Sequence, residues 1–523
     1  MVRHSRARAS LLLLAAGGAA ALVACNAILD FDQYRVSAGG PIVDGGSGDA
    51  TADDGGGCID PNGFGGRGCF RCTPTTNEEL LNACTSADFE HFDNAARIQG
   101  FDPANPRPAL VDGGPYLPPY DAGSGPVVVN DAGTTPSCAD ALATQPNPVM
   151  VVGGTGYPLD VIAKAMGSAA TIFFLEGGSC DGVSTILTNT PKAKGKVAWY
   201  SDTGVKTECL LDQEYPADIG SAGAFPETCA GQNQIPANPV LAADQADFLG
   251  PANPVMLAVP QGSDQNVISA EAAYKVYGFG NASGVEPWTK EELLYRRNAR
   301  SANQQSTART LGLPVGELRG VDSNSGSRMY NLLLTTPEPQ KTIAISSSEI
   351  VDIHRDVMKS LAYQHYGQRA GFYPDSSPGS FDRKNVRDGH YFMWIPLHVY
   401  AHVNAGDPIA AQGSALEGGS NTREKRNAAV KALAFVMANR QEAPNAAVDL
   451  FGSLKTIGNI PQCAMHVTRA REAADLTPYT PGTSCDCAFE AASPGTTPPD
   501  CQRCSATAPC PSNRPTCSFG YCE

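Results

Sequence analysis

"VVGGTGYPLDVIAKAM", residues 151–166, decides the fold. Val151 and Val152 close an apolar run that starts at Pro148, the pattern of a strand buried on both faces. Three glycines then make a turn, and Leu159, Ile162, Ala163 and Met166 follow at i, i+3, i+4 and i+7, one apolar face of a helix. The chain repeats the move in "TIFFLEGGSCDGVSTIL", residues 171–187. Each turn sets a hydroxyl residue, Thr155 or Ser179, at the mouth of a helix. Free backbone N–H groups and the helix dipole favour an anion there, and the hydroxyl adds a donor. One such turn is ordinary capping. Two at successive strand ends mark the edge at which open α/β sheets bind ligands.

Working outward, "KVAWY" (196–200), "PVMLAV" (254–259) and "KTIAIS" (341–346) add strand-like runs with helical patterns between them. Continuous apolar strands alternating with amphipathic helices predict an α/β fold with a largely parallel sheet. The globular stretch, 138–475, exceeds one typical domain, which predicts two lobes. Ser201 and Asp202 follow "KVAWY" and are expected on the same edge as the two turns. An aspartate suits an anion site when the anion carries a proton that the carboxylate accepts. In "YRRNARSANQQSTARTLG" (295–312), Arg297 precedes Ser301 by four residues at a predicted helix start, which combines charge, a planar fork and a dipole.

The flanks have a different character. Arg3, Arg6 and Arg8 followed by the apolar run Leu11–Val23 read as an export signal. It ends in "LVAC", which resembles a bacterial lipobox, and this implies lipidation at Cys25. The cell envelope is the expected location, with the outer membrane or cell surface favoured because Asn26 is not aspartate. Residues 1–25 are thus a signal peptide, and 26–57 are a Gly/Asp/Ser-rich tether. A small cysteine-rich segment occupies 58–100, a Pro/Gly-rich linker 101–137, and a cysteine-rich tail, read as an appendage, 476–523.

Of 17 cysteines, 16 remain after Cys25. They fall into even groups at 58–84, 138–229 and 463–522, as disulfide-closed modules would. The net charge of −15 argues against nucleic acid or an anionic membrane surface as partner, so the lipid is the expected membrane contact. It leaves a small anion open, because a helix terminus binds one locally.

Together the four motifs resemble the phosphate-binding proteins of ABC importers, class-II periplasmic binding proteins with two α/β lobes joined by two crossovers. The resemblance covers 138 to about 475. "GGTGYP" stands where that family opens its first helix, "GGSCDGV" where it opens its second, "SD" after the following strand, and "RNARSAN" where the second lobe has its arginine and "SGT". "ISAEAAYKVYGFG" with Trp288 looks like the interlobe segment, and "FDRKNVRDGHYFMWIP" like the return segment. The resemblance implies Thr155, Ser179, Asp202, Arg297 and Ser301 as ligand residues. It also implies phosphate or another small oxyanion as ligand, an ABC permease as partner, and no cofactor. Ala302 and Asn303 depart from the family's glycine and threonine, and Cys180 sits inside the second turn, where a disulfide would stiffen it. Sulfate, another oxyanion or a phosphorylated organic ligand therefore stay open beside phosphate. The alternative is a cell-surface scaffold or adhesin-like lipoprotein that reuses the fold.

Enzyme readings find less support. "EGGSCDG" is not a G-x-S-x-G elbow, because Gly182 falls one residue late. "HVYAH" spaces His398 and His402 by four but lacks the zinc-protease glutamate, so a structural role is expected and no metal. The pairs Cys69/Cys72 and Cys501/Cys504 are expected in disulfides rather than on zinc. A hydrolase using Ser179 or Ser201 would need a histidine that the sequence places nowhere near.

Overall fold

The computed structural model describes residues 57–110, 135–154, 156–189, 193–299, 301–417, 421–492, 501–505 and 510–523. The signal, Cys25 and nearly all of the tether fall outside them, as does Thr155.

The main sheet is built from β1 (Pro148–Gly153), β2 (Thr171–Glu176), β3 (Ala193–Tyr200), β4 (Lys206–Tyr215), β5 (Ile219–Ala222), β6 (Gln245–Pro260), β7 (Leu294–Arg296), β8 (Val321–Asp322), β9 (Ile343–Ser347) and β10 (Trp394–Asn404). Their order is β8-β7-β9-β6-β10-β5-β1-β2-β3-β4. In the first lobe β2, β1 and β5 run parallel, and β10 lies antiparallel beside β5. In the second, β8, β7 and β9 run parallel, and β6 lies antiparallel beside β9. Each lobe therefore has the order second-first-third, closed by a strand arriving from the other lobe. This is the two-lobed class-II binding-protein arrangement.

The elements follow from their residues. All six residues of β1 are buried, as a strand covered on both faces requires. In α1 (Leu159–Met166) the four residues of the predicted stripe are buried. They join α5 (Arg423–Met437) through Val430, Leu433 and Val436 in the first lobe's core. Beneath it Asp218, fully buried, accepts bonds from the Met150 and Ala411 N–H groups and from Arg426 Nη2 at 2.8 Å. Burial pushes the Asp218 carboxyl up, and the Arg426 charge pulls it back.

The crossovers are β6 and β10, paired from Gln245↔His402 to Pro254↔Trp394 with a break in register between Pro396 and His398. Pro251, Pro254 and Pro396 deny the ladder three donors on this strip, which central strands tolerate at irregularities. A third passage runs beside them. After α5 the chain returns to the second lobe, where Ile460 and Ala252 exchange backbone bonds of 2.9 and 2.7 Å.

The cysteine-rich ends do not stand apart as the sequence suggested. Leu80, Leu81 and Phe92 from one, and Cys487, Phe489 and Tyr521 from the other, lie inside the second lobe's core. The pairs are Cys58–Cys72, Cys69–Cys84, Cys138–Cys209, Cys180–Cys229, Cys463–Cys485, Cys487–Cys501, Cys504–Cys517 and Cys510–Cys522, all within the expected groups. An ion cluster also holds the tail. Arg387 reaches Asp486 and Glu490, both at 2.8 Å, and His466 bridges Asp388 (2.7 Å) and Asp486 (3.1 Å).

Candidate functional site

Strand register brings the two lobes' binding edges together. Gly153 at the end of β1 pairs with Ser221, and Ala222 at the end of β5 pairs with His398, which also faces Leu249. On the other side Ser347 at the end of β9 pairs with Val255. The carboxyl ends of both sets of parallel strands therefore meet across residues 250–254 of β6, the seam at which open α/β folds bind ligands.

The first lobe's wall is backbone and hydroxyl. Ser179 opens α2 (Ser179–Leu187), is buried, and accepts the Gly223 N–H on Oγ at 3.0 Å. That leaves its own hydroxyl proton to point elsewhere. Gly182 is explained by packing: a Cβ there would lie 2.1 Å from the Ser221 carbonyl oxygen, so α2 rests directly on β5. Gly153, at φ +140°, is likewise forced, since its Cβ would meet the same oxygen. Cys180 is disulfide-bonded to Cys229, the stiffening that its place in the turn suggested. One feature works against an anion. Asp181, in the first turn, accepts the Gly178 N–H at 2.6 Å and so already occupies part of the α2 terminus.

The second lobe's wall is charged. Arg297 follows β7, and its Nε is buried without a hydrogen-bond partner among the described residues. Burial pushes the guanidinium down, while the charges of Glu349 and Asp322 pull it back up. Ser301 is the N-cap of α3 (Ala302–Leu311) but its side chain makes no capping bond. Ala302 reaches the first lobe: a Cβ on Gly223 would sit 3.2 Å from Ala302 Cβ. Ser179, Gly223 and the start of α3 thus share one spot.

Two predicted residues do not join them there. Thr155 lies outside the described residues, although its neighbour Gly154 packs on Ser179 and the Gly156 carbonyl accepts Asn459 Nδ2 at 3.1 Å. Asp202 is placed elsewhere, because β3 runs antiparallel to β2 with Tyr200 opposite Ile172. Its turn therefore lies beyond the opposite end of β2 from Ser179, and Asp202 is exposed. The expectation of a shared edge assumed a parallel β3.

The sequence reading also missed residues. Glu349, in the first turn of α4 (Ser348–Ile353), stands within electrostatic reach of Arg297 and accepts Asn253 Nδ2 on Oε2 at 3.1 Å. Ser347 beside it has a buried hydroxyl without a partner among the described residues. The signal was present: "SSSE" after the 341–346 run repeats the strand–hydroxyl–helix pattern of the opening turns.

Beyond this spot the seam is filled by the protein itself. The face of α3 carrying Ala302, Ser306 and Arg309 looks toward the first lobe, where Arg309 Nη2 donates to the Thr228 carbonyl at 3.4 Å. Glu472, from the loop after Val467–Thr468, is buried near Ser306. Burial pushes its carboxyl up, against the pull of Ser306, Arg469, His398 and Arg309. His398 holds Asp247 through Nδ1 at 2.8 Å. On a strand, His398 and His402 lie about 13 Å apart and do not share a metal. Two open clefts of about 490 and 630 Å³ share Arg97 and Glu286, and none of the predicted residues lines them.

No protein-family model matches the chain, and no curated protein is similar to it. Solved structures overlap it in part. A candidate phosphate ABC transporter substrate-binding protein from Clostridium perfringens, with bound phosphate, is 12% identical over 60% of this chain and 99% of its own, at a TM-score of 0.36. An ABC-type phosphate transport receptor from Vibrio cholerae is 16% identical over 50% and 88%, at 0.34. A TctC solute-binding protein from Polaromonas is 10% identical over 60% and 89%, at 0.29. Overlaps at this level carry no weight of their own, and the ligand has to be read from the seam's chemistry.

Proposed function

We propose that this chain is an extracytoplasmic solute-binding protein that takes a small oxyanion, phosphate first, between its two lobes. The observation that carries this reading is the seam itself. The helix starts at Ser179 and Ser301 meet there, and Arg297 brings a buried Nε with no partner among the described residues. Ser179, Ser301 and Arg297 would hold the anion by charge-assisted bonds, and Thr155 would join them from the glycine turn. No bond is made or broken at such a site, so its work is capture, for ABC-type uptake or for sensing. Lipid on Cys25 would keep the protein at the envelope, which a Cys25→Ala variant tests by moving from the detergent phase to the aqueous one.

Isothermal titration of the detergent-solubilised full chain with phosphate and sulfate, beside Arg297→Ala, tests the reading. Micromolar phosphate binding, roughly −8 kcal/mol, that is lost in the variant supports it. Silence toward both anions, from folded protein stripped of ligand, sinks it.

The self-filled seam favours a second reading. Ala302 against Gly223 and Arg309 on Thr228 close the lobes without any guest. A surface scaffold that reuses the fold would look like this, and the same silence would support it.

A further inference from the structure

The cysteine-rich tail is tied to one lobe and touches the chain that comes from the other. Cys463, in the second lobe's core, holds Cys485, and Cys487 just beyond it holds Cys501. Further on, Cys517–Ser518 and Tyr521–Cys522 pair as a hairpin, closed on Cys504 and Cys510. Its turn is Phe519-Gly520, both at positive φ (50° and 79°), as a two-residue hairpin turn demands. The Tyr521 ring enters the second lobe's core, so the hairpin is seated there.

The turn lies against the third passage between the lobes. Residues 440–445 of that passage belong to the first lobe. There the Arg440 guanidinium lies over the Phe248 ring at 5.0 Å, and the Asn445 backbone and side chain donate to the Ala165 and Lys164 carbonyls of α1 at 2.8 and 3.1 Å. Between them Glu442 accepts the Phe519 N–H on Oε1 at 3.0 Å. In the helix Leu450–Thr456, Leu450 packs on the first lobe's core and Phe451 on the second's. The Phe519 ring meets Phe451 edge-on, with centroids 5.0 Å apart. Lys455, on the same helix and almost fully buried, donates to the Phe489 and Glu490 carbonyls of the tail at 3.2 and 3.3 Å. The tail therefore grips the passage on both sides of the point where it changes lobe.

We propose that the tail is a strap that limits how far the first lobe swings away from the second. A swing about the crossovers carries residues 440–445 with the first lobe, while the disulfides and Tyr521 keep the hairpin on the second. The Glu442 bond and the Phe519–Phe451 contact have to break before the lobes part. The strap does not depend on what the seam takes, so it stands whether the protein captures an oxyanion or serves as a scaffold.

The test is single-molecule energy transfer in the full chain in detergent, without added anion. Dyes are coupled to an azide-bearing amino acid placed at Val205 on the first lobe and Leu334 on the second, both exposed. Wild type is compared with Glu442→Ala, Phe519→Gly and the two combined. Glu442 is exposed and glycine suits the positive φ at 519, so the variants keep the fold, which a cooperative thermal transition checks. The widely separated population should grow by about 10-fold in the combined variant, the worth of one hydrogen bond and one aromatic pair, and by less in each single one. Replacing Cys504 and Cys517 together by alanine should act in the same direction, because it loosens the turn without touching either contact. A distance distribution that matches wild type in the combined variant overturns the strap.

Discussion

The two walls of the seam are made of different material. On the first lobe, Gly153 and Gly182 let backbone approach backbone, Gly223 leaves room for the Ala302 side chain, and Ser179 adds a hydroxyl. On the second lobe stand Arg297, Glu349 and Asp322. If the seam takes an oxyanion, the difference puts charge recognition on one side before closure. The other side would then contribute uncharged donors and exclude water, which strengthens the bonds already made. The first wall should be sensitive to shape and the second to charge.

Stability measurements test this most strongly. Arg426→Ala leaves Asp218 buried and unpaired under the first wall, and should cost about 3–5 kcal/mol in denaturant unfolding. Gly182→Ala should cost about 1–3 kcal/mol, because the new Cβ has only the Ser221 backbone to meet. A charge-only change on the second wall, Glu349→Gln, should lie near zero by the same assay, and a cost matching Gly182→Ala would erase the contrast.

A pH series sharpens the picture behind the second wall. Burial opposes the charge on His466, but bonds to Asp388 and Asp486 outweigh it and push its pKa up to about 9. Its stabilisation is therefore complete below the ordinary 6.5 and lost as pH rises through about 9. Asp388 is opposite in sign: burial raises it, yet His466 and Lys384 hold it well below its ordinary 3.8, so its share is lost on strong acidification. Protection factors for hydrogen exchange in Asp486–Ala491 should fall between pH 8 and 10, roughly the range bracketing that transition, while those of α1 stay unchanged. The smallest effect belongs to Asp202→Asn, which should leave stability within about 0.5 kcal/mol and anion titration unaltered.

Much of this was legible because buried strands advertise themselves. The runs at 148–152 and 171–175 became β1 and β2, and the stripe from Leu159 to Met166 became α1. Direction was not legible: "KVAWY" has the same apolar pattern whichever way β3 runs, and Asp202 was misplaced for that reason. β7 was also hidden, since a strand of Leu294–Arg296 inside an arginine-rich stretch looks like the start of a helix. Glu349 and Asn253 meet only through strand order, nearly a hundred positions apart in the chain. Cysteine grouping was readable from spacing, but the docking of both ends was not, because Phe92, Phe489 and Tyr521 are scattered singly through polar sequence.

The described residues begin on the second lobe, where Phe89–Glu90 adds to the strand at Gly371–Phe372, and they finish on the same lobe. If Cys25 carries the anchor, the charged lobe is the mounted jaw of a vice and the glycine-walled lobe the jaw that swings. On the solute-binding reading, a partner that takes the cargo would gain most by gripping the swinging jaw, whose position alone would report whether the vice is shut.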